Sequence, residues 1–238
     1  MAFDSVGKLY IVSTPIGNLN DITYRALETL RTVDLIAAED TRHTRKLLTR
    51  FDIHTKMCSY HTHNEHQKTA QLIEEIQAGL KLAVVSDAGT PSIADPGFLL
   101  VREAVAAGIE PEIIPGVSAL TFAATAAGLP VDKFAFYGFP PVKSGRKTTF
   151  FERIAAEDKT VIIFESPHRI EKTLDYISRI IGSDTSVAII REATKLHEEV
   201  LRGTAEELLT QHKGRKWKGE CVMVISSQSK ERTQASEF

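Results

Sequence analysis

The chain has only two cysteines, Cys58 and Cys221, and they lie in unrelated segments of its 238 residues. That argues against a disulfide framework and makes a reduced, cytoplasmic setting the expectation. No apolar run approaches the roughly 20 residues of a membrane span, and Met1 to Lys8 lacks the apolar block of a secretory signal. A strong charge of either sign is also missing. The formal net charge of −2 does not suit a protein that coats nucleic acid by bulk electrostatics. Neither common phosphate cradle is present: there is no G-x-x-x-x-G-K-[ST], and no G-x-G-x-x-G follows a strand. Repeats at solenoid period and low-complexity blocks are absent too.

What remains is an ordinary globular composition, 42% hydrophobic and 25% charged, in a chain long enough for one large domain or two small ones. Strand and helix signals alternate: Leu9 to Val12, then Asp21 to Leu30; Val33 to Ala38, then a basic helix Thr41 to Arg50. Met57 to Tyr60 is strand-like, Lys68 to Gln77 has helical spacing of Leu72, Ile73 and Ile76, and Leu82 to Val85 is a buried strand. A helix from Phe98 to Ala107 stops at Gly108, and Glu112 to Ile114 leads into the small-residue segment Val117 to Ala127. Strands separated by helices imply a mostly parallel sheet. Gly128-Leu129-Pro130 reads as a boundary, after which strands and helices alternate again up to Cys221 to Ile225. The expectation is an α/β protein of two domains, residues 1–130 and 131–228, with a polar, disordered tail at 229–238.

The most informative stretch follows the Leu82–Val85 strand. Ser86-Asp87-Ala88-Gly89-Thr90-Pro91-Ser92-Ile93-Ala94-Asp95-Pro96-Gly97 is a tight loop of small residues and prolines. Glycine permits close backbone approach to a ligand, and proline fixes the shape of that approach. In an open α/β sheet the ligand crevice lies outside the carboxyl ends of the strands. Ser13-Thr14-Pro15-Ile16-Gly17-Asn18-Leu19 and Pro115-Gly116-Val117-Ser118-Ala119 would be the second and third walls of that pocket by the same topology. The ordinary alternative is β-to-α turns and close helix–sheet packing, with Asn20 or Asp21 capping the first helix.

Polar clusters sit at other strand ends. Ala38-Glu39-Asp40-Thr41-Arg42 places two carboxylates beside an arginine, and His61, His63 and His66 surround Asn64 and Glu65. H-x-H-x-x-H could hold a metal, but no carboxylate or cysteine set completes it, and a polar substrate pocket is the better reading. Phe164-Glu165-Ser166-Pro167-His168-Arg169 and Arg191-Glu192-Ala193-Thr194-Lys195 end strands in the second half. Capped helices and surface ion pairs would explain both equally simply. Basic residues gather at Arg42 to Arg50, at Lys143, Arg146 and Lys147 on a mobile-looking loop, and at Lys213 to Lys218. Solvated faces are the plain explanation, although local basic patches also suit a polyanionic substrate.

From Gly7 to Ser226 these segments together make the chain resemble the tetrapyrrole-methylase-type (class III) S-adenosylmethionine methyltransferases. More narrowly, it is similar to the branch that methylates a cytidine 2′-oxygen in the decoding region of small-subunit ribosomal RNA. The resemblance rests on Thr14 to Leu19 with Asp21-Ile22, Ala38 to Arg42, Ser86 to Gly97, Phe164 to Arg169, and Arg191 to Lys195. It implies two α/β domains with the methyl donor in the cleft between them, usually in a homodimer. By position it implies donor contacts at Pro15, Ala88, Gly89, Thr90, Ile93, Ser118 and Ala119, and at Phe164, Ala193 and Gly219 in the second domain. It further implies S-adenosylmethionine as donor with no metal, and 16S ribosomal RNA, in the small ribosomal subunit, as partner.

Deprotonation and alignment would then be the enzyme's tasks. Glu39, Asp40, His61, Glu65 and Lys195 are the candidates for base or orienter, the Glu39/Asp40 pair first. Arg42, Lys143, Arg146, Lys147 and Arg169 are the candidates for RNA phosphate contacts. Two other readings fit the same loops: methylation of a tetrapyrrole precursor, and a donor-binding ribosome-assembly module without turnover. The basic clusters favour RNA over the tetrapyrrole, and transfer of label to RNA would separate an enzyme from a binding module.

Overall fold

A computed structural model describes residues 7–226 of the protein; the tail expected to be disordered, 229–238, lies outside the described residues. The chain divides into two compact units between Ser118 and Ala119. Among the described residues no helix is long and apolar enough to cross a membrane.

The first unit runs β1 (Lys8–Val12), α1 (Tyr24–Thr32), β2 (Leu35–Ala38), α2 (Thr41–Arg50), β3 (Lys56–Ser59), α3 (Glu65–Gln77), β4 (Lys81–Val85), α4 (Phe98–Ala106) and β5 (Glu112–Ile114). Its sheet has the order β3-β2-β4-β1-β5, and every pairing is parallel. The three inner strands β1, β2 and β4 are therefore buried on both faces along most of their length, as their near-continuous apolar runs require, while the edge strands β3 and β5 stay partly exposed. Alternate residues of β4 feed opposite cores: Ala83 and Val85 pack with Leu27, Leu30 and Ile36, while Leu82 and Val84 pack with Leu72, Ile76 and Leu100. Burying one such aliphatic side chain contributes about 1.5–3 kcal/mol. One difference from the sequence reading concerns α1. Thr23, not Asn20 or Asp21, caps it, and Asn18 instead caps a short 3-10 turn at Leu19–Asp21. Because parallel strands share one direction, Val12, Ala38, Ser59, Val85 and Ile114 all end at the same edge, and the loops that follow them are brought together there.

The second unit contains α5 (Ala119–Ala127), β6 (Phe134–Phe136), α6 (Ser144–Ala155), β7 (Thr160–Glu165), α7 (Ile170–Tyr176, continued by a π turn at Ile177–Ile181), β8 (Ser186–Arg191), β9 (Glu199–Thr204), α8 (Ala205–Gln211) and β10 (Cys221–Ile225). The sheet order is β6-β7-β10-β8-β9. Only β6 and β7 pair in parallel; β10 runs antiparallel to both β7 and β8, and β9 antiparallel to β8. One face packs on Phe151, Ile154, Leu174 and Leu208. The other is covered by α5, whose Ala123, Ala124 and Ala127 lie on Ile162, Ala188 and Val224.

That packing explains why the division falls earlier than the 130/131 boundary read from Gly128-Leu129-Pro130. Those residues connect α5 to β6 inside the second unit. Arg202 of β9 donates to the carbonyls of Ala126 and Ala127, and Gly128 takes the left-handed conformation that ends the helix (φ +67°). Punctuation in a sequence marks the end of an element; only packing says to which core that element belongs.

At the far edge of β8 and β9, Glu199 pairs with both Arg191 and Arg215. Arg215 holds its carboxyl below the usual glutamate range, against the opposing effect of burial, and Arg191 adds to the lowering. A carboxyl depressed in the folded state contributes stability above its unfolded value and loses it as pH falls through the folded one. Melting temperature followed from pH 7 downward should therefore decline below about pH 4.3, and Glu199→Gln should flatten part of that acid limb. An unchanged acid limb would refute this.

Candidate active site

The loop after β1 and the loop after β4 are joined at their bases. Thr14 N–H donates to the Gly89 carbonyl at 2.8 Å and Gly89 N–H returns a bond to the Thr14 carbonyl at 3.0 Å. The Ser13 and Thr90 hydroxyls meet at 2.8 Å, and the Thr14 hydroxyl donates to the Ser86 carbonyl. The third loop closes on the same residues: Ser13 N–H donates to the Ile114 carbonyl, and a Cβ at Gly116 would lie 2.8 Å from the Ser13 Cβ. Gly116 is thus required by close approach. The Ser86–Gly97 loop is further bent by left-handed backbone at Gly89 (φ +77°) and at two non-glycine residues, Ser92 (φ +77°) and Ala94 (φ +64°). Such conformations are maintained only where surrounding structure imposes them. Ile93 remains 45% exposed on this loop, and the Ser92 hydroxyl is buried without a partner among the described residues. The three loops expected to share a pocket are accordingly one hydrogen-bonded body in the first unit, containing Pro15, Ala88, Gly89, Thr90, Ile93 and Ser118. Ala119 begins α5 and belongs to the second unit.

The carboxylates after β2 are tied to this body through Asp87, which the sequence reading did not single out. Asp87 N–H donates to Glu39 Oε2 at 3.2 Å, and Asp40 N–H donates to Asp87 Oδ1 at 3.1 Å. The signal was available: β2 and β4 pair in parallel with Ala38 opposite Val85, so residues just beyond them must be neighbours. Asp40 caps α2 by accepting from Arg42 N–H, and the Arg42 guanidinium grips the same carboxylate at 3.1 and 2.8 Å. These bonds hold the Asp40 carboxyl well below the usual range, so it is a poor proton acceptor and a good helix cap. Glu39 spends one oxygen on a backbone N–H and is the less committed carboxylate of the two.

His61 and Glu65 lie beyond β3. His61 N–H donates to Asn64 Oδ1, the Asn64 amide approaches His61 Nε2 at 3.3 Å, and His61 Nδ1 is buried without a partner among the described residues. Lys68 anchors this turn by donating to the Ser59 carbonyl at 2.7 Å. Glu65 opens α3, its carbonyl accepting from the Thr69 hydroxyl. Among the described residues no group of three or more histidines, cysteines or carboxylates is arranged to hold a metal ion.

In the second unit, β7 and β8 both run antiparallel to β10, so they end at one edge, with Glu165 and Arg191 flanking Cys221. Glu165 is fully buried there and accepts from Ser166 N–H at 2.8 Å, Arg169 Nη2 at 2.7 Å, the Thr173 hydroxyl, and Lys147 Nζ at 3.4 Å. Lys147 therefore departs from its expected place on a mobile basic loop. It lies on the buried face of α6, also donating to Thr173, and burial lowers its pKa against the pull of Glu165. A side chain so enclosed cannot reach a phosphate. Lys143 and Arg146 are exposed, as a solvated basic face requires. Arg42 is exposed as well, although paired with Asp40.

Lys195, a candidate for base or orienter, is held between two carboxylates. Burial would lower its pKa, but contacts at 2.9 Å to Glu192 and Glu220 win and raise it, so the amine stays protonated and acts as a strut. It braces a strained turn in which Glu192 (φ +52°) and Thr194 (φ +64°) flank Ala193. Gly219 (φ +82°) lies against that turn, where an added Cβ would fall 2.3 Å from the Glu192 side chain. Phe164 is half-buried beside it on β7, its N–H donating to the Gly138 carbonyl. Gly219→Ala should cost ~1–2 kcal/mol from the left-handed backbone alone, and more if Glu192 is displaced from Lys195. Urea unfolding reads this directly, and wild-type stability would contradict it.

Comparison with known proteins places this geometry. Residues 8–209 match the family model described as Tetrapyrrole (Corrin/Porphyrin) Methylases. A protein of Synechocystis named ribosomal RNA small subunit methyltransferase I is 46% identical over 226 residues, covering 95% of this chain and 81% of that protein. One of the same name from Escherichia coli O157:H7 is 47% identical, covering 94% and 79%. Among solved structures, diphthine synthase superposes with a TM-score of 0.69 at 19% identity, covering 92% of this chain and 89% of that one. Uroporphyrin-III-C-methyltransferase from Thermus thermophilus does so with 0.64 at 20% identity, covering 92% and 94%. The last two establish the fold alone. The chain belongs to the tetrapyrrole methylase family, in the branch whose curated relatives are named ribosomal RNA small subunit methyltransferase I.

Proposed function

We propose that this protein transfers a methyl group from S-adenosylmethionine to the ribose 2′-oxygen of a cytidine in the decoding region of 16S ribosomal RNA. The observation that carries the proposal is the close relationship to proteins named for small-subunit ribosomal RNA methylation, together with the cross-linked loop body of the first unit. The setting that goes with this reading is the cytoplasm, with a homodimer acting on RNA within the small ribosomal subunit.

The first unit fits such a donor physically. Gly116 lets its loop close directly onto Ser13, Gly89 supplies the left-handed backbone (φ +77°) of its turn, and the Thr14–Gly89 bridge ties two of the walls together. Pro15, Ala88, Gly89, Thr90, Ile93 and Ser118 are the residues that would hold it. The bound donor supplies a methyl group on a sulfonium that is already an activated leaving group. The protein must then orient the hydroxyl and accept its proton. Alignment of this kind can lower a barrier by roughly 7–11 kcal/mol in favourable cases, and a positioned base adds about 10²–10⁴-fold.

Glu39 is the base in this scheme. It stands at the end of β2, steadied by Asp87 N–H, whereas Asp40 is occupied by Arg42 and Lys195 remains a cation. His61 and Glu65 would orient the nucleotide from the turn after β3. Two measurements test the scheme together. Calorimetry with S-adenosylmethionine and its demethylated product should show binding to wild type and to Glu39→Gln alike. Transfer of labelled methyl to undermethylated small subunits should fall about 10²–10⁴-fold in Glu39→Gln. Absence of donor binding by wild type defeats the whole reading; normal turnover by the variant defeats only the assignment of the base.

A further inference from the structure

We propose that the turns Gly138–Pro141 and Ser166–Arg169 of the second unit form a docking point for one unpaired RNA nucleotide, with the Phe139 ring stacked on its base and Arg169 holding its phosphate. The inference rests on the RNA reading above and adds to it a base-binding residue and the means by which Arg169 is positioned.

Phe139 is 55% exposed although its turn is tied down by hydrogen bonds. Its ring makes an edge-to-face pair with Phe164 at 5.5 Å between centroids, and Phe164 packs on Phe136 at 4.8 Å. The turn is fixed from both sides: Gly138 adopts φ +62°, its carbonyl accepts from Phe164 N–H at 3.0 Å, and two prolines follow Phe139. A single exposed apolar residue needs no explanation. An aromatic ring held rigidly at the end of an aromatic row, beside an arginine, is what an unpaired base stacks upon.

The arginine provides a second, independent indication. Arg169 gives Nη2 to Glu165 at 2.7 Å and Nη1 to the Pro140 carbonyl at a long 3.5 Å, which ties its turn to that of Phe139. Its Nε is buried and has no partner among the described residues. A buried donor left unpaired calls for an acceptor. Lys147 and Arg169 share one carboxylate, Glu165, so Arg169 does not have that partner to itself, and its partly exposed guanidinium can also take a phosphate oxygen. Lys147 and Glu165 are positioning residues here: they touch no ligand but set where Arg169 stands.

Fluorescence anisotropy with a fluorescein-labelled single strand of cytidine-rich RNA, about twelve nucleotides long, tests the proposal. Phe139→Ala should weaken binding roughly five- to a hundredfold, while Phe139→Tyr, which keeps a stacking face, should bind like wild type. Arg169→Ala should weaken binding too, and should also reduce the slope of log affinity against log salt by ~0.7; Phe139→Ala should leave that slope alone. A purely structural loss would not separate the two variants in this way. The proposal is overturned if Phe139→Ala binds the strand normally, if a duplex of the same sequence suffers an equal loss, or if the loss falls on donor affinity measured by calorimetry instead. Methyl transfer by wild type to small subunits, measured alongside, is read separately. Its absence would remove the catalytic reading while Phe139-dependent strand binding kept this one standing.

Discussion

Thr14 and Gly89 exchange two backbone hydrogen bonds across the ends of strands β1 and β4, and the arrangement of the first unit's strand-end loops depends on that exchange. Loops at the carboxyl edge of a parallel sheet have no ladder to order them once the strands end. Here a residual two-bond ladder continues one step past the sheet. The Ser13 and Thr90 hydroxyls reinforce it on one side and Gly116 presses against Ser13 on the other. A body stiffened in this way can keep the left-handed backbone of Ser92 and Ala94, each costing on the order of 1–3 kcal/mol. The loop's shape is therefore set by the protein itself, and a loop ordered in advance has little ordering cost to meet on binding.

The second unit solves a different problem with different means. Its sheet ends in charge: Glu165, buried beneath Arg169, Lys147 and Thr173, and Glu192, half-buried beneath Lys195. Burying an ion costs several kcal/mol unless the partner geometry is good, so these clusters are poor choices for stability alone. What they provide is direction. Each carboxylate fixes the orientation of a turn whose backbone or guanidinium faces outward, and the packed aromatic row Phe136, Phe164, Phe139 does the same for an apolar surface. The first unit thus orders its loops mainly through backbone bonds, the second mainly through ion pairs and rings.

Much of this was legible beforehand. The alternation of apolar strands with amphipathic helices identified an α/β protein, because periodicities of 2 and 3.6 residues record which faces are buried. Ser86 to Gly97 stood out as a tightly constrained loop, and its left-handed residues agree, because glycines and prolines constrain backbone wherever they occur. Harder to read were residues whose role depends on a partner distant in sequence. Lys147 sits among basic neighbours and looks like one of them, yet helical rotation carries it inward to Glu165, 18 residues away. Asp87 gains meaning only from the pairing of β2 with β4. Helix α5, rich in alanine, carried no mark of which sheet it would cover.

By itself the sequence determined the class of fold, the strand-end loops and the family, since these follow from local pattern and from motifs that backbone sterics enforce. Tertiary structure decided which titratable groups remain available. It coupled Asp40 to Arg42 and Lys195 to two glutamates, leaving Glu39 less encumbered, and it gave α5 to the second sheet. The reason is common to all of these. Proton affinity and domain membership are set by what lies within a few ångströms in space, and chain order does not contain that distance until the strands have paired.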